Sequence, residues 1–359
     1  MSVEGEKSPT TTKSDKAWIT YVWLDRNGEP RSIQTRQVVP RNYVGESVLS
    51  LDNPADFDEL LVEADVSGYP TWSNAVYFAR PFKVYSQPGS ISSKILLCHI
   101  VDTEGVPLNS AADKAVEELR QLQEVEGEKY SPTEVFEITQ QFYLTTKFVP
   151  LSFASNPPAK PGPFGSGVGA DLAVARATVT RAVNSLLGET CVARVAPLAT
   201  PSHWGVTFQL RKAAGDSDGQ GNPLDVASMI MLFRYVLGRA CEDSNLTPAF
   251  ISKVLKDPWA PSLLQFSAQT LTMSETKLAK RLAAGHESLM RATAHTLDAA
   301  TAEVDKYVWV SNAKGPVTVA TTNNKMAWLI DNRVPSSANP HVAVNEWIKS
   351  WRTSGDVSF

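Results

Sequence analysis

The stretch Gly167-Val-Gly-Ala-Asp-Leu-Ala173 joins a loop rich in proline and glycine to a predicted helix. Residues 155–169 contain so many prolines and glycines that the pattern favours a loop and no regular element. From Asp171 to Leu187 apolar residues recur at helical spacing, which predicts a helix that begins directly after the glycines. This string is the most specific local feature of the chain.

Strand patterns dominate the first hundred residues. Trp18 to Leu24 is rich in aromatic and β-branched residues and leads into Asp25-Arg26-Asn27-Gly28, a strong signal for a hairpin turn. Ser110 to Gln123 carries apolar residues at helical spacing, so a boundary is expected near residue 105. We therefore predict a disordered tail over residues 1–16, a β-rich domain over 17–105 and a second domain over 106–359. The other strands predicted before the boundary are Arg31 to Val39, Val76 to Tyr85 and Lys94 to Val101.

The second domain is predicted to mix strands and helices. Phe136 to Leu144 alternates as a strand does, and Ala193 to Leu210 is typical of two strands joined by a turn. On the last predicted helix Trp347 and Trp351 share one face, which favours core packing, with a subunit or partner contact as the alternative. The remaining predicted elements are helices over Leu224 to Cys241, Glu275 to Ala300 and Val342 to Trp351, and strands over Val304 to Val310 and Val317 to Ala320.

Composition narrows the class of protein. A net charge of -4 gives no basic surface for nucleic acid, and no uninterrupted apolar run is long enough to predict a membrane span. Cys98, Cys191 and Cys241 form no CxxC pair, so a disulfide framework or thiolate zinc site is not expected. Residues 1–16 lack the apolar region of a signal peptide. These features predict an intracellular, cytoplasmic protein.

Several strings, in order along the chain, resemble eukaryotic glutamine synthetases. The resemblance implies an α+β fold, with an N-terminal β-grasp domain and a larger C-terminal α/β domain of the glutamine synthetase catalytic type around a curved antiparallel sheet. It also implies stacked rings, so we expect a homo-oligomer or a mixed oligomer. The strings are the hairpin Trp18 to Arg36, the turn Asp102 to Pro107, Gly167 to Ala173, Phe233 to Val236, and Pro335 after Asp331-Asn332-Arg333.

Glutamine synthetases use ATP and divalent metals, and hard cations such as Mg²⁺ require oxygen ligands, mostly carboxylates. Matched by motif, the family's metal-ligand positions carry mostly neutral residues here, and Arg194 replaces one of them if the register slips. Lys314 and Arg333 retain positive charge at substrate or nucleotide positions. The degenerate metal-ligand positions are Thr139, Gln141, Leu198, Gly205, Gln265 and Asp331.

These replacements predict no metal site, no cofactor and no catalytic residues. Glu137 shares a strand face with Thr139 and Gln141, so partial rescue of metal binding stays open, although a solvated edge charge is the preferred interpretation. The prediction is a non-catalytic protein with a structural, assembly or regulatory role, possibly bound to a protein partner in a larger assembly. The alternatives are a residual glutamate–ammonia ligase and a ligand-sensing module that uses the old cavity.

Overall fold

The structure is a computed structural model. Its strands form two sheets, of five and eight strands. Within the described ranges, no helix is long and apolar enough to cross a membrane. The described residues are 16–38, 52–69, 75–86, 93–126, 135–147, 149–151, 170–186, 192–198, 202–210, 223–250, 262–270, 288–289, 291–292, 317–321 and 327–352.

The first sheet contains five strands in the order β2-β1-β5-β4-β3. Strands β1 and β5 pair in parallel, and the other neighbours are antiparallel. Tyr21, Trp23 and Leu96 lie in its core because β-branched and aromatic residues alternate inward along these strands. The elements are β1 (Lys16–Leu24), β2 (Pro30–Val38), a 3-10 turn (Pro54–Asp56), β3 (Leu60–Glu63), helix α1 (Ala64–Ser67), β4 (Val76–Ser86) and β5 (Ser93–Val101).

The second sheet is antiparallel throughout and has eight strands. Its main path runs β12-β13-β11-β6-β9-β8, and β7 and β10 pair with β6 off this path. Strand β6 is therefore central, with β11 on one side and β9 on the other. The strands are β6 (Val135–Thr146), β7 (Val149–Pro150), β8 (Val192–Pro197), β9 (His203–Leu210), β10 (Thr247–Ala249), β11 (Leu263–Thr270), β12 (Val317–Thr321) and β13 (Ala327–Pro335).

Helices cover one face of the second sheet. Phe233 of α4 packs against Phe142 and Phe208 of the central strands, with ring centroids 5.6 and 5.7 Å apart. Trp347 of α5 stacks on Phe266 of β11 at 5.1 Å. These contacts join helices and sheet in one apolar core. The helices are α2 (Ser110–Glu126), α3 (Ala170–Asn184), α4 (Pro223–Glu242) and α5 (Pro340–Arg352).

The hairpin turn of the first sheet rests against the second sheet. Gly28 has φ +77°, and a Cβ built there would lie 1.9 Å from the carbonyl oxygen of Ser337. Only glycine suits this place, because a side chain would meet both the strained φ and the neighbouring backbone. The two parts of the molecule therefore meet backbone to backbone at this turn.

Most predicted elements are confirmed where the structure describes them. Strand β11, at Leu263–Thr270, was not predicted as a strand, because its first residues were matched to a loop of the family. Of the helix predicted over 275–300, only residues 288–289 and 291–292 are described, and all four are helical. The strand predicted over 304–310 lies outside the described residues. The domain boundary near residue 105 and the tail over 1–16 remain predictions.

Candidate active site

The two faces of β6 differ in chemistry. Ile138 and Phe142 point into the apolar core beneath the helices. Successive residues of a strand point to opposite sides, so Glu137, Thr139 and Gln141 lie on the other face. We call this the open face to distinguish it from the face beneath the helices, and it carries the predicted site residues of β6, of which Thr139 and Gln141 are buried.

A row of polar side chains crosses the open face. Thr139 of β6 is directly opposite Thr207 of β9 and Gln265 of β11, and Thr207 is opposite Arg194 of β8. Directly paired residues of antiparallel strands share a face, so these four side chains lie on one side of the sheet. Gln265 donates a hydrogen bond of 2.6 Å to Oδ1 of Asn332 on β13, which extends the row to a fifth strand.

Thr139 and Thr207 form a hydrogen bond with each other through their side-chain hydroxyls. Their hydroxyl oxygens are 2.9 Å apart, and both residues are buried. One hydroxyl donates to the other, which leaves the proton of the accepting hydroxyl available to a third group. The row therefore presents hydroxyl and amide groups in place of the carboxylates that a metal site requires.

The next row toward Gln141 is closed by apolar and backbone groups. Gln141 pairs with Gly205, and its Oε1 accepts a hydrogen bond of 3.2 Å from the backbone N–H of Leu263. A Cβ added at Gly205 would lie 2.9 Å from Cγ2 of Thr139 and 3.6 Å from Cδ2 of Leu198. Leu198 and Thr139 thus occupy the space in which a longer side chain at residue 205 would begin.

Glu137 supplies a carboxylate on the open face, two residues before Thr139 on β6 and on the side away from Gln141. Its Oε1 accepts a hydrogen bond of 3.2 Å from Nε2 of Gln209, the residue opposite on β9. Glu137 is partly exposed. Its position on the face of Thr139 agrees with the strand alternation predicted from the sequence.

A stacked pair of rings, Tyr143 and His203, lies at the start of β9. The rings of Tyr143 and His203 stack with centroids 4.2 Å apart and an interplanar angle of 8°. Nε2 of His203 lies 3.3 Å from the hydroxyl of Ser262. Burial lowers the pKa of His203 to about 3, so the ring is neutral at pH 7. A neutral, stacked imidazole supports this end of the sheet.

Asp331 does not join the other predicted ligands. Its register partner is Phe266, whose side chain lies in the core, and Asp331 is fully buried on the same side. Its Oδ2 accepts a hydrogen bond of 3.2 Å from Nε1 of Trp347. The neighbouring Asn332 faces the row instead, and the irregular register of β11 between Leu264 and Phe266 accompanies this arrangement.

The predicted positions therefore divide into groups. Thr139, Gln141, Gly205 and Gln265 lie together on the open face, with Leu198 beside Gly205. Arg333 belongs to β13, and Lys314 lies outside the described residues. The motif comparison did not assign roles to Thr207, Gln209 and Asn332. The alternation of residues along β9 could have placed Thr207 and Gln209 on one strand face.

The divalent metal implied by the family does not fit these side chains. The described residues contain no group of three or more His, Cys, Asp or Glu side chains placed to hold a metal ion. Thr139, Gln141 and Gln265 are neutral, and they already hydrogen-bond to neighbouring groups. Glu137 alone offers a carboxylate on the described part of this face, and hard cations need several oxygen ligands.

The chain has a mixed α+β fold with a curled sheet, similar to the fold of glutamine synthetase-type proteins. The chain is 23% identical to the glutamine synthetase of Gallus gallus over 287 residues, covering 78% of this chain and 69% of that protein. The solved structure of apo GmaS without ligand matches with a TM-score of 0.60 and 13% identity, over 93% of this chain and 78% of that one. No protein-family profile matches the sequence. The predicted resemblance to the glutamine synthetase family is confirmed.

The prediction that the chain is not an enzyme is wrong. The relative from Gallus gallus is a glutamine synthetase, which is an enzyme, and this similarity favours an enzyme here. That prediction equated the replacement of five ligands, with Asp331 as the only remnant, with the loss of catalysis. The replaced positions concern only the metal ligands of the family. The open face still has the carboxylate of Glu137, the guanidinium of Arg194, and threonine hydroxyl and glutamine amide groups.

Proposed function

We propose that this chain is a glutamine synthetase-like enzyme whose site is the open face of the second sheet. The reaction proposed is the joining of an amine to a carboxylate, with the glutamate–ammonia ligase reaction as the specific case. The observation that carries the proposal is the polar row of Arg194, Thr207, Thr139 and Gln265, extended by Asn332. It spans five adjacent strands, and polar groups that converge on a rigid sheet are what a binding site requires.

Glu137 and Arg194 give this face two opposite charges. The two residues stand on strands separated by β9 and are offset by two residues along them, so their Cα atoms are about 12 Å apart. A carboxylate binds an amine through charge-assisted hydrogen bonds, and a guanidinium binds a carboxylate in the same way. This pattern suits a substrate with an amine at one end and a carboxylate at the other.

The test of function is a product assay. Purified protein is incubated with ATP, MgCl₂, glutamate and either ammonia or methylamine, and the amide product and phosphate are quantified. We expect product to form, and Glu137→Gln should lower kcat/KM by about tenfold or more, since a charge-assisted hydrogen bond is lost. Glu117→Gln is the matched control, because Glu117 lies on α2 and pairs with Arg120 at an exposed site. Absence of product with every substrate pair would refute the proposal.

The assembly is part of the same proposal. We propose a homo-oligomer or mixed oligomer in stacked rings, a β-grasp-like character for the first sheet, and a cytoplasmic location. Light scattering of the purified protein tests the first point, because a species of 39.1 kDa at all concentrations would contradict it. The oligomeric state, the β-grasp-like character and the location are supported by the resemblance to glutamine synthetases, and fold similarity by itself does not establish function.

A further inference from the structure

We propose that Arg194 binds the oxyanion of the ligand directly at the open face, and that no divalent cation takes part in this binding. The proposal deepens the proposed function, since it concerns the same face and names the group that neutralises negative charge there. Its starting point is the mismatch between the side chains of this face and the metal that the family implies.

Arg194 is a cation on this face, at the end of the polar row. It is exposed, and it stands on edge strand β8 opposite Thr207. Arginine presents planar N–H donors that match two oxygens of a carboxylate or phosphate, and it is always charged at neutral pH.

The neighbouring groups of the row complete an oxyanion site. The threonine pair shares one hydrogen bond, so one hydroxyl proton remains available to donate. The amide of Gln265 uses one N–H toward Asn332, and its second N–H is a further donor. Together these groups place several neutral donors beside one positive charge, which is how proteins bind oxyanions without metal.

A cation would have poor ligands at the same place. The polar groups nearest the row are a threonine pair and an amide pair that bond to each other. Leu198 lies beside Gly205, so apolar carbon replaces any oxygen ligand at that end. Glu137 would be the single carboxylate, and Asp331 points to the core on the other side of the sheet.

Binding measured in the presence of EDTA tests the proposal without relying on turnover. The probes are inorganic phosphate and glutamate, titrated by calorimetry into the wild-type protein, Arg194→Gln and Arg239→Gln. Arg239 is the control, because it is an exposed arginine of α4 that pairs with Glu242. We expect at least one probe to saturate the wild type and the control, with Arg194→Gln weakened by about tenfold or more.

A second measurement addresses the metal. Adding MgCl₂ in place of EDTA should leave the wild-type affinity within about twofold, and Mn²⁺ should give no saturable electron paramagnetic resonance signal with wild-type protein. The double variant Thr139→Glu with Gln141→Glu should gain Mn²⁺ binding, which shows that the assay can detect a site on this face. Binding that needs Mg²⁺, binding unchanged in Arg194→Gln, or no binding of either probe overturns the inference. Binding without turnover would refute the proposed reaction and leave the oxyanion site standing.

Discussion

Arg234 holds the two parts of the molecule together through hydrogen bonds that no carboxylate shares. Its guanidinium is fully buried and donates to Oε1 of Gln140 at 2.9 Å and to the carbonyl oxygens of Gly28, Ser336 and Ala338 at 3.2, 2.7 and 2.9 Å. Burial lowers the pKa of Arg234 to about 10, so the group remains a cation at neutral pH. Four oxygen acceptors stabilise the charge by hydrogen bonds, and the negative charge of Glu29 also favours the charged form of Arg234.

Replacing Arg234 by methionine removes all four hydrogen bonds and keeps an apolar side chain of similar length. Each buried acceptor left without a donor costs about 1–3 kcal/mol. Part of this loss is offset, because the desolvation of a buried charge no longer opposes folding. We expect the free energy of unfolding to fall by about 3–5 kcal/mol.

The assay is urea unfolding followed by both far-ultraviolet circular dichroism and tryptophan fluorescence. Arg239→Met is the matched control on the same helix, because Arg239 is exposed and forms an ion pair of 2.7 Å with Glu242, which is exposed as well. An exposed pair of this kind contributes about 0.5 kcal/mol or less. Arg234→Lys should also lose stability, since an ammonium cannot reproduce the planar fork that reaches four acceptors.

The outcome that refutes this reasoning is specific. If Arg234→Met unfolds within about 0.5 kcal/mol of the wild type, the four hydrogen bonds do not stabilise the fold by the expected amount. A loss of stability equal to that of Arg239→Met would lead to the same conclusion. A change in the urea dependence would instead indicate that unfolding is no longer a two-state process.

Three further predictions concern single residues. Gly28→Ala should destabilise the protein by about 2 kcal/mol or more in the same urea assay, because its Cβ would meet the Ser337 carbonyl at a positive φ; an unchanged midpoint would contradict this. Burial lowers the pKa of His341 to about 3, so the unfolded chain binds more protons below its ordinary pKa of about 6.5. Stability should therefore fall as the pH drops, by about 2 kcal/mol at about pH 5 for this group, and His341→Asn should remove that part of the slope. Asp331→Leu should lower stability by about 1–3 kcal/mol, because the hydrogen bond from Nε1 of Trp347 to Oδ2 is lost, whereas Asp331→Asn retains an acceptor and should lose less. Equal losses would argue against the hydrogen bond.

The sequence by itself determined most of the elements and the family resemblance, although it missed strand β11. The aromatic and β-branched run at Trp18 to Leu24 and the turn that follows specify a hairpin from local preferences alone. The alternation around Thr139 placed Glu137, Thr139 and Gln141 on one strand face before any neighbour was known. These features depend on residues close together in the chain, so a sequence contains them.

Only the tertiary structure decided which residues meet across the sheet. The pairing of Thr139 with Thr207 and Gln265 joins residues far apart in the chain, and such register depends on how strands align in space. The shift within β11 accompanies the turn of Asp331 toward the core and of Asn332 toward the open face, an arrangement that motif matching could not show. A shift of one residue in strand register moves every side chain to the opposite face of the sheet. Tertiary packing, which fixes the register, therefore decided which side chains form this site.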